Sequence, residues 1–373
     1  MRIRRKYLFY VLAFTAAIIA AINSGLDATV SALYVTDPWA LGFSIFLVGI
    51  FISLLFALVF SIPYKDKSLG ARIADPSFKR LRLIRKKEIK YQLLSAFGNA
   101  TFTIGYFALF SIVGDPSVVL PFSQIVILYL VVVESITEKD MPTLSEVQSI
   151  LIVTFGAILG SISLSGTINL ESLAIVFLVI NPGWVFLTIY QRKLKWMKID
   201  DRPNDSINIR FWNVIFSFIF TAVIIFVYDF SMETNHFTVG IMASIHQFGW
   251  IALVAIGAFF GFVFYLRALG IGKASVAQAV RSSTIIFSIP ISIILSYFGI
   301  ISFFSTDPTM LLIKIIGITL MIFGIVSFAL NLVKAYIFIN VKPGYSIEET
   351  MEKLWNIRGV TRVTAIAGKY DFI

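Results

Sequence analysis

The densest chemistry in this chain surrounds Arg281. Gln278, Arg281, Ser282, Ser288, Ser292 and Ser296 recur at steps of three, four, six and seven, which lines them along one face of a helix. Everything between them is apolar or small. A charge inside hydrocarbon costs ~3 kcal/mol or more, so an arginine about two turns within such a segment needs water, a partner or a substrate. Its planar fork suits a carboxylate or phosphate. A structural ion pair or a side chain reaching for the interface is the competing reading.

Other polar residues interrupt apolar stretches in the same way. Asn23, Asp27 and Ser31 stand at i, i+4 and i+8. Asp27 is placed to carry a coupling proton, or to pair with Lys314 at a comparable depth. Asn181-Pro182-Gly183 interrupts another stretch near its middle, where proline removes a backbone donor. Discontinuous helices commonly build transporter sites, although a plain kink explains the motif equally well. Asn99, Thr103, Ser123 and Gln124 are further candidates to line a path. Trp184 and Tyr265 could wall a cavity or pack. Glu134, Glu138 and Arg267 fall near an interface.

The elements that carry these residues are membrane spans. The chain is 58% hydrophobic and 14% charged, with a mean hydropathy of +0.88. A soluble fold of 373 residues could not cover that much apolar surface. Ten apolar stretches, near 8–34, 39–62, 92–113, 117–136, 144–163, 169–191, 210–230, 248–271, 275–298 and 309–333, each approach the ~20 residues that cross a bilayer. The basic start MRIRRK leads straight into the first, which reads as a span and not as a cleaved leader.

Lys and Arg crowd the connections 63–91 and 192–209, with Lys139 and Lys273 in two more of the same parity. The alternate loops TDPW, GDPS, SGTIN, SMETNH and STDP have none. Basic loops stay cytoplasmic, so both termini are expected there, in a multi-pass protein of the cell membrane. The net charge of +10 therefore belongs to topology and not to nucleic acid. Within 78–90, FKRLRLIRKKEIK mixes apolar and basic residues, either as a solvated loop or as a surface helix on anionic lipid head groups.

There is no Cys, and the two histidines, His236 and His246, flank one outer loop. Thiol chemistry is excluded. No nucleophile–base pair, phosphate loop or metal cluster can be assembled, so neither an enzyme nor a cofactor is expected.

An internal repeat underlies the topology. GDPSVV (114–119) and GKASVA (272–277) align without gaps at a spacing of 158 residues, a register that sets Phe107 opposite Tyr265 and Gln124 opposite Ser282. Both segments join the third and fourth spans of a five-span half. Five is odd, so the second half must be inverted, and inverted repeats enclose binding sites at their interface.

On these residues the chain resembles the EamA-like members of the drug/metabolite transporter superfamily. GFVFYLRAL (261–269) with GIGKASVAQAV (270–280) carries the resemblance, as does GYFALFSIVGDPSVVLP (105–121), with Glu138 before a span holding Gly156 and Gly160, and Gly317 and Gly324 in the last span. Ser149 stands where a Gly is usual, and Thr284 where many members have an acidic residue before a proline, here displaced to Pro290. The resemblance implies two repeats, 1–165 and 166–334, of five helices each.

After Lys334 the pattern changes. AYIFINV, IEETMEKLWNI and RGVTRVTAIAGKYDFI read as strand, helix and strand. This stretch, 335–373, resembles the first half of the RAM ligand-sensing domain of the Lrp/AsnC family. That resemblance implies a dimerising amino-acid sensor, with Gly368, Tyr370 and Asp371 near the ligand. Half such a unit makes a poor core alone, so a homodimer through the tail is one expectation.

The expected protein is all-α and polytopic, with ten spans and a short β-α-β tail. The expected function is secondary transport, by alternating access, of a small metabolite such as an amino acid or related organic anion. Arg281, Gln278, Ser282, Asn181, Asn99, Gln124, Tyr265 and Trp184 would form the binding set, with Asp27 as the proton carrier. A membrane-anchored amino-acid sensor and a lipid-carrier translocase are the alternatives.

Overall fold

The computed structural model describes residues 5–113, 119, 123–138, 144–160, 174–199, 202–300, 308–331, 346, 350–351 and 354, with Glu138 and Lys314 described in backbone only. Helix occupies each of the ten apolar stretches. The helices are α1 (Arg5–Leu33), α2 (Pro38–Ser61), α3 (Leu69–Ile73), α4 (Lys86–Val113), α5 (Val126–Glu138) and α6 (Leu144–Gly160). They continue with α7 (Asn181–Trp196), α8 (Ser206–Met232), α9 (His236–His246), α10 (Phe248–Leu269), α11 (Ala274–Arg281), α12 (Thr284–Tyr297) and α13 (Pro308–Asn331).

Among the described residues, six segments are long and apolar enough to cross a membrane: Tyr7–Leu33, Pro38–Ser61, Lys86–Ile112, Ser206–Met232, Phe248–Leu269 and Ala274–Tyr297. Their polarity runs opposite to that of a water-soluble bundle. On α8, Val223, Phe226 and Phe230 face outward while Asn213, Ser217 and Thr221 are buried. On α2, Phe51, Leu55 and Leu58 are exposed while Ser44 and Ser53 are buried. Apolar residues outside and small polar residues between helices are the arrangement that lipid favours. This is the architecture of an all-α membrane protein.

Several expected boundaries move. Asp205 caps α8, its carboxylate accepting the Asn208 amide at 2.7 Å, so that helix starts at Ser206 and not at 210. The connection before 248 holds an extra helix, α9, anchored where Ser44 Oγ donates to the Gly240 carbonyl at 2.8 Å. The ninth apolar stretch is two helices, with a turn at Ser282 and Ser283. The stretch at Asn181-Pro182-Gly183 does not unwind. A π-helical turn, Val176–Ile180, precedes α7, and the Asn181 amide reaches back to the Val176 carbonyl. Widening the turn absorbs the donor that Pro182 lacks without breaking the helix.

Helix α4 is the hub of the first half and crosses α7 at glycine. A Cβ on Gly98 would lie 2.5 Å from the Gly183 carbonyl oxygen, and one on Gly183 would lie 2.9 Å from the Gly98 oxygen. Bare backbones meet there, as small residues allow in membranes. Tyr106, Phe107 and Phe110 of α4 join Leu41 and Val48 of α2 and Val254 of α10 in the central apolar cluster.

The two basic connections interlock. Each holds a two-residue antiparallel hairpin, β1 (Pro63–Tyr64) with β2 (Lys67–Ser68) and β3 (Lys198–Ile199) with β4 (Arg202–Pro203). Residues 78–85 are not helical, so of the two readings of 78–90 a surface helix along the whole stretch is not found. Phe78 is 1% exposed and packs on Phe60, Ile207 and Phe259, so this apolar residue is an anchor of the core. Arg82 grips Glu88 through both guanidinium nitrogens, at 2.7 and 2.8 Å, and Asn204 at 2.8 Å.

Helix α7 runs on to Trp196, so Arg192 and Lys195, expected in a loop, are buried in its last turns. Lys195 meets Asp75 at 2.5 Å and also donates to the Asn204 carbonyl. Burial pushes the Asp75 carboxyl up, but the Lys195 ammonium and bonds from Ser206 and Ser77 outweigh it and hold it at about 2. Burial raises the nearby Asp205 carboxyl.

Residues 330–373 form a separate compact unit. Within it, the Thr350 amide bonds to the Ser346 carbonyl, a helical turn inside the expected 347–357 helix. The expected flanking strands and Gly368, Tyr370 and Asp371 lie outside the described residues.

Candidate functional site

Helices α1, α4, α7, α10, α11 and the approach to α5 enclose a cavity of about 110 Å³. A buried water occupies ~10–15 Å³ by this kind of measure, so the space takes several waters or one small solute. Asn23, Asp27, Tyr106, Gln124, Gln278 and Arg281 give its polar lining. Phe102, Trp184, Phe262 and Tyr265 give the aromatic walls.

Gln278 organises one wall. Its side-chain oxygen accepts from the Trp184 indole at 3.1 Å and the Tyr265 hydroxyl at 3.0 Å. Its nitrogen donates to the Gln124 oxygen at 2.9 Å, which also accepts the Ser282 hydroxyl at 2.7 Å. The network is buried, and buried networks that satisfy their members hold side chains in one geometry. Here it fixes Trp184 and Tyr265, and these two rings carry Arg281. The guanidinium carbon lies 4.3 Å from the Trp184 centroid and 5.2 Å from that of Tyr265. Stacking on aromatic faces holds an arginine while leaving its donor edge free for a ligand. Among the described residues, no carboxylate forms an ion pair with Arg281.

Asp27 faces the same cavity from α1. One carboxylate oxygen accepts the Tyr106 hydroxyl at 3.3 Å and a long 3.5 Å bond from the Asn23 amide. The other is buried without a partner, as is the Asn23 side-chain oxygen. Lys314, the alternative partner, is described in backbone only. Gly257 opens the wall here, since a Cβ on it would fall 2.2 Å from the Asn23 oxygen.

The cavity thus unites seven expected residues: Asp27, Ser123, Gln124, Trp184, Tyr265, Gln278 and Arg281. Ser282 supports it through Gln124. Asn99 does not reach it, because its amide donates to Asn213 at 2.9 Å and Ser217 at 3.0 Å and ties α4 to α8. Asn181 is also absent from the lining. It is fully buried, and neither amide atom has a partner. The polar face of the ninth stretch contributes less than expected, since Ser288 turns its hydroxyl to the Ile285 carbonyl of its own helix. Tyr106, Phe102 and Phe262 were not anticipated. They are aromatic residues in a chain with 15% of them, and nothing local marks a cavity wall.

A second buried constellation lies where α5, α7 and α11 meet. Glu134 accepts from Arg192 at 2.7 Å and from the Ala274 and Ser275 amides at 2.6 and 3.2 Å. A carboxylate at the start of α11 satisfies donors that a helix N-terminus leaves open. Arg192 is held further on the Trp196 ring at 4.1 Å. At the other end of the bundle, His236 meets Asp37 at 2.5 Å, joining the TDPW and SMETNH loops. Among the described residues, no group of three or more His, Asp or Glu is gathered in a metal-binding arrangement.

No family model matches the chain, and no curated protein matches it. Among solved structures, a crystal structure described only as that of a protein aligns with a TM-score of 0.53 at 13% identity, over 87% of this chain and 97% of the other. At that identity the likeness extends to the fold alone.

Proposed function

We propose that this protein is a secondary transporter of a small metabolite, an amino acid or related organic anion, working by alternating access between two inverted five-helix repeats in a ten-span bundle. The observation that carries this reading is the cavity faced by both the Arg281 guanidinium, which has no carboxylate partner among the described residues, and the Asp27 carboxylate, one oxygen of which has no hydrogen-bond partner among them. Arg281 binds the anionic group, Gln278 and Gln124 set its platform, and Asp27 takes the coupling proton.

Support for the repeat comes from the pattern of helix pairing. If α1, α2, α4 and α5 correspond to α7, α8, α10 and α11–α12, each main pairing among these helices has a counterpart. The two most extensive are α4 on α7 and α10 on α1. The pairing of α4 with α8 matches that of α10 with α2, and α1 with α12 matches α7 with α5. The 158-residue register also sets Asn23-Ser24-Gly25 against Asn181-Pro182-Gly183, and its members Gln124 and Ser282 bond to each other. Direct contact between equivalent positions is what a two-fold axis between repeats would produce.

Proteoliposomes holding the full chain, loaded with amino acids, other organic anions or amines, test the reading by counterflow. Accumulation of one class, abolished by Arg281→Gln, is expected. Absence of flux for every class would remove the transporter reading. Association of copies through 335–373, and contact of the basic connections with anionic lipid, belong to the same proposal.

A further inference from the structure

Arg210 is a further buried cation that does not line the cavity. It lies one turn into α8 and is 5% exposed. Its guanidinium makes one long bond, 3.5 Å to the Asn213 side-chain oxygen, and its Nε has no partner. Among the described residues, no carboxylate forms an ion pair with it. An unpaired arginine buried among helices is costly, and such residues mark pathways for ions and substrates.

Its position is informative. The Arg210 guanidinium lies 4.2 Å from the centroid of Phe262, whose ring also lines the cavity. Phe262 is 5.9 Å from Trp184, the ring that carries Arg281. The two arginines, neither ion-paired among the described residues, are therefore linked through two adjoining aromatic rings. Among the described residues, other buried polar atoms near this end of the bundle also lack partners. Gln92 donates to the Ile209 carbonyl beside Arg210, while its oxygen is unpartnered. Gln191, two turns beyond Trp184 on α7, has neither amide atom bonded. Gln92, Gln191 and Arg210 all fall within about two turns of a helix end that adjoins a basic connection.

We infer that Arg210, with Gln92 and Gln191, forms a second anion seat beyond Phe262, toward the side of the basic connections. It receives the same anionic group that Arg281 holds in the cavity. Phe262 separates the two seats in the conformation described, and its displacement connects them. The inference rests on the transport reading and adds a second station and a direction to its path.

The chain has no Cys, so single cysteines can report on this region without background. Gln92→Cys and Gln191→Cys variants of the full chain, in oriented membrane vesicles, are exposed to two methanethiosulfonates. One carries an anionic sulfonatoethyl group and the other a cationic trimethylammonioethyl group. In each case the thiolate forms a mixed disulfide and expels methanesulfinate. Reagent applied from the side of the basic connections is expected to label both positions. The anionic reagent should gain on the cationic one by about tenfold relative to a free thiol, as a local positive potential implies. Arg210→Gln should abolish that preference, and Arg210→Lys should retain it. Leu194→Cys, in the apolar cluster with Ile209 and Leu266, should stay unlabelled.

Failure of both glutamine positions to label, or a cationic preference, would overturn the second seat. So would equal labelling of Leu194→Cys, or a preference indifferent to Arg210→Gln. Flux in proteoliposomes separates the two readings. Labelling as expected without flux would sink transport and leave the anion seat, whereas flux without labelling would do the reverse.

Discussion

Ser282 donates a 2.7 Å hydrogen bond to Gln124, a residue 158 positions earlier and its counterpart in the internal register. The bond ties α11 to the start of α5 beneath the Arg281 platform. Gln278 sits at the centre of that platform and joins Trp184, Tyr265 and Gln124. Gln278→Leu would remove the shared acceptor of an indole N–H and a phenol at once. The expected cost is ~2 kcal/mol or more, because each orphaned buried group carries its own desolvation penalty. Ser282→Ala removes one donor and should cost about 1 kcal/mol, the scale of single interhelical bonds in membranes. Thermal unfolding of the purified variants measures both. Equal effects would mean that Gln278 is not the hub.

The Glu134–Arg192 pair makes a sharper demand. Both side chains are buried, and Glu134 also accepts two amides of α11. Glu134→Gln should destabilise the protein by ~3–5 kcal/mol, because it breaks a buried charge pair. The double variant Glu134→Gln/Arg192→Gln should recover part of that loss, since both members of the pair are then neutral. A double-mutant cycle on unfolding midpoints decides it. Additive losses would show that the two groups do not act as a pair.

The residues legible in advance are those whose presence in hydrocarbon is costly. Asp27, Gln278 and Arg281 stand out in an apolar run because burying them demands a reason, and all three line one cavity. The same argument misplaced Asn99, because polar side chains in membranes also serve as glue, here to Asn213 and Ser217 on α8. Tyr106 and Phe262 were illegible, since whether an aromatic ring walls a cavity or fills a core depends on which helix opposes it. Phe78 was not legible as core, because an apolar residue among lysines and arginines has the same pattern whether it meets water, lipid or Phe259. The helices themselves were readable from length and hydropathy. The turn at Ser282 and Ser283 was not, as nothing in the local residue types forbids a continuous helix there.

The α4–α7 crossing predicts a steep response to a single methyl group. A Cβ at position 98 would meet the Gly183 oxygen at 2.5 Å and the Leu187 amide nitrogen at 2.6 Å. Both are backbone atoms and cannot rotate away. Gly98→Ala should therefore cost ~1–3 kcal/mol by overpacking, despite alanine's better helix propensity. Gly249→Ala in α10, where nothing lies within 4 Å of the added atom, should be neutral or slightly stabilising. Size-exclusion profiles and melting temperatures of the two variants compare them directly. Tolerance of Gly98→Ala would mean that the two helices do not cross at this contact.

Acid stability should be governed by the cluster that joins the basic connections. The Asp75 carboxyl lies at about 2 in the fold against an ordinary 3.8, because the Lys195 ammonium and its other donors outweigh the effect of burial. A depressed acid stabilises the fold when ionised. That contribution, about 2 kcal/mol, is complete above the ordinary value and is lost as pH falls through the folded one. Asp205 has the opposite sign. Burial raises it, so the fold disfavours its charge, and protonation on mild acidification relieves that strain. Stability should therefore hold or rise slightly as pH first falls toward the ordinary carboxyl range, then drop as Asp75 protonates. Asp75→Asn should cost about 2 kcal/mol at neutral pH and flatten the acid limb. Asp205→Asn keeps a competent helix cap and should remove the initial rise. Unfolding midpoints taken from neutral to strongly acidic pH distinguish the two, and an Asp75→Asn protein with the parent's acid limb would place the titrating group elsewhere.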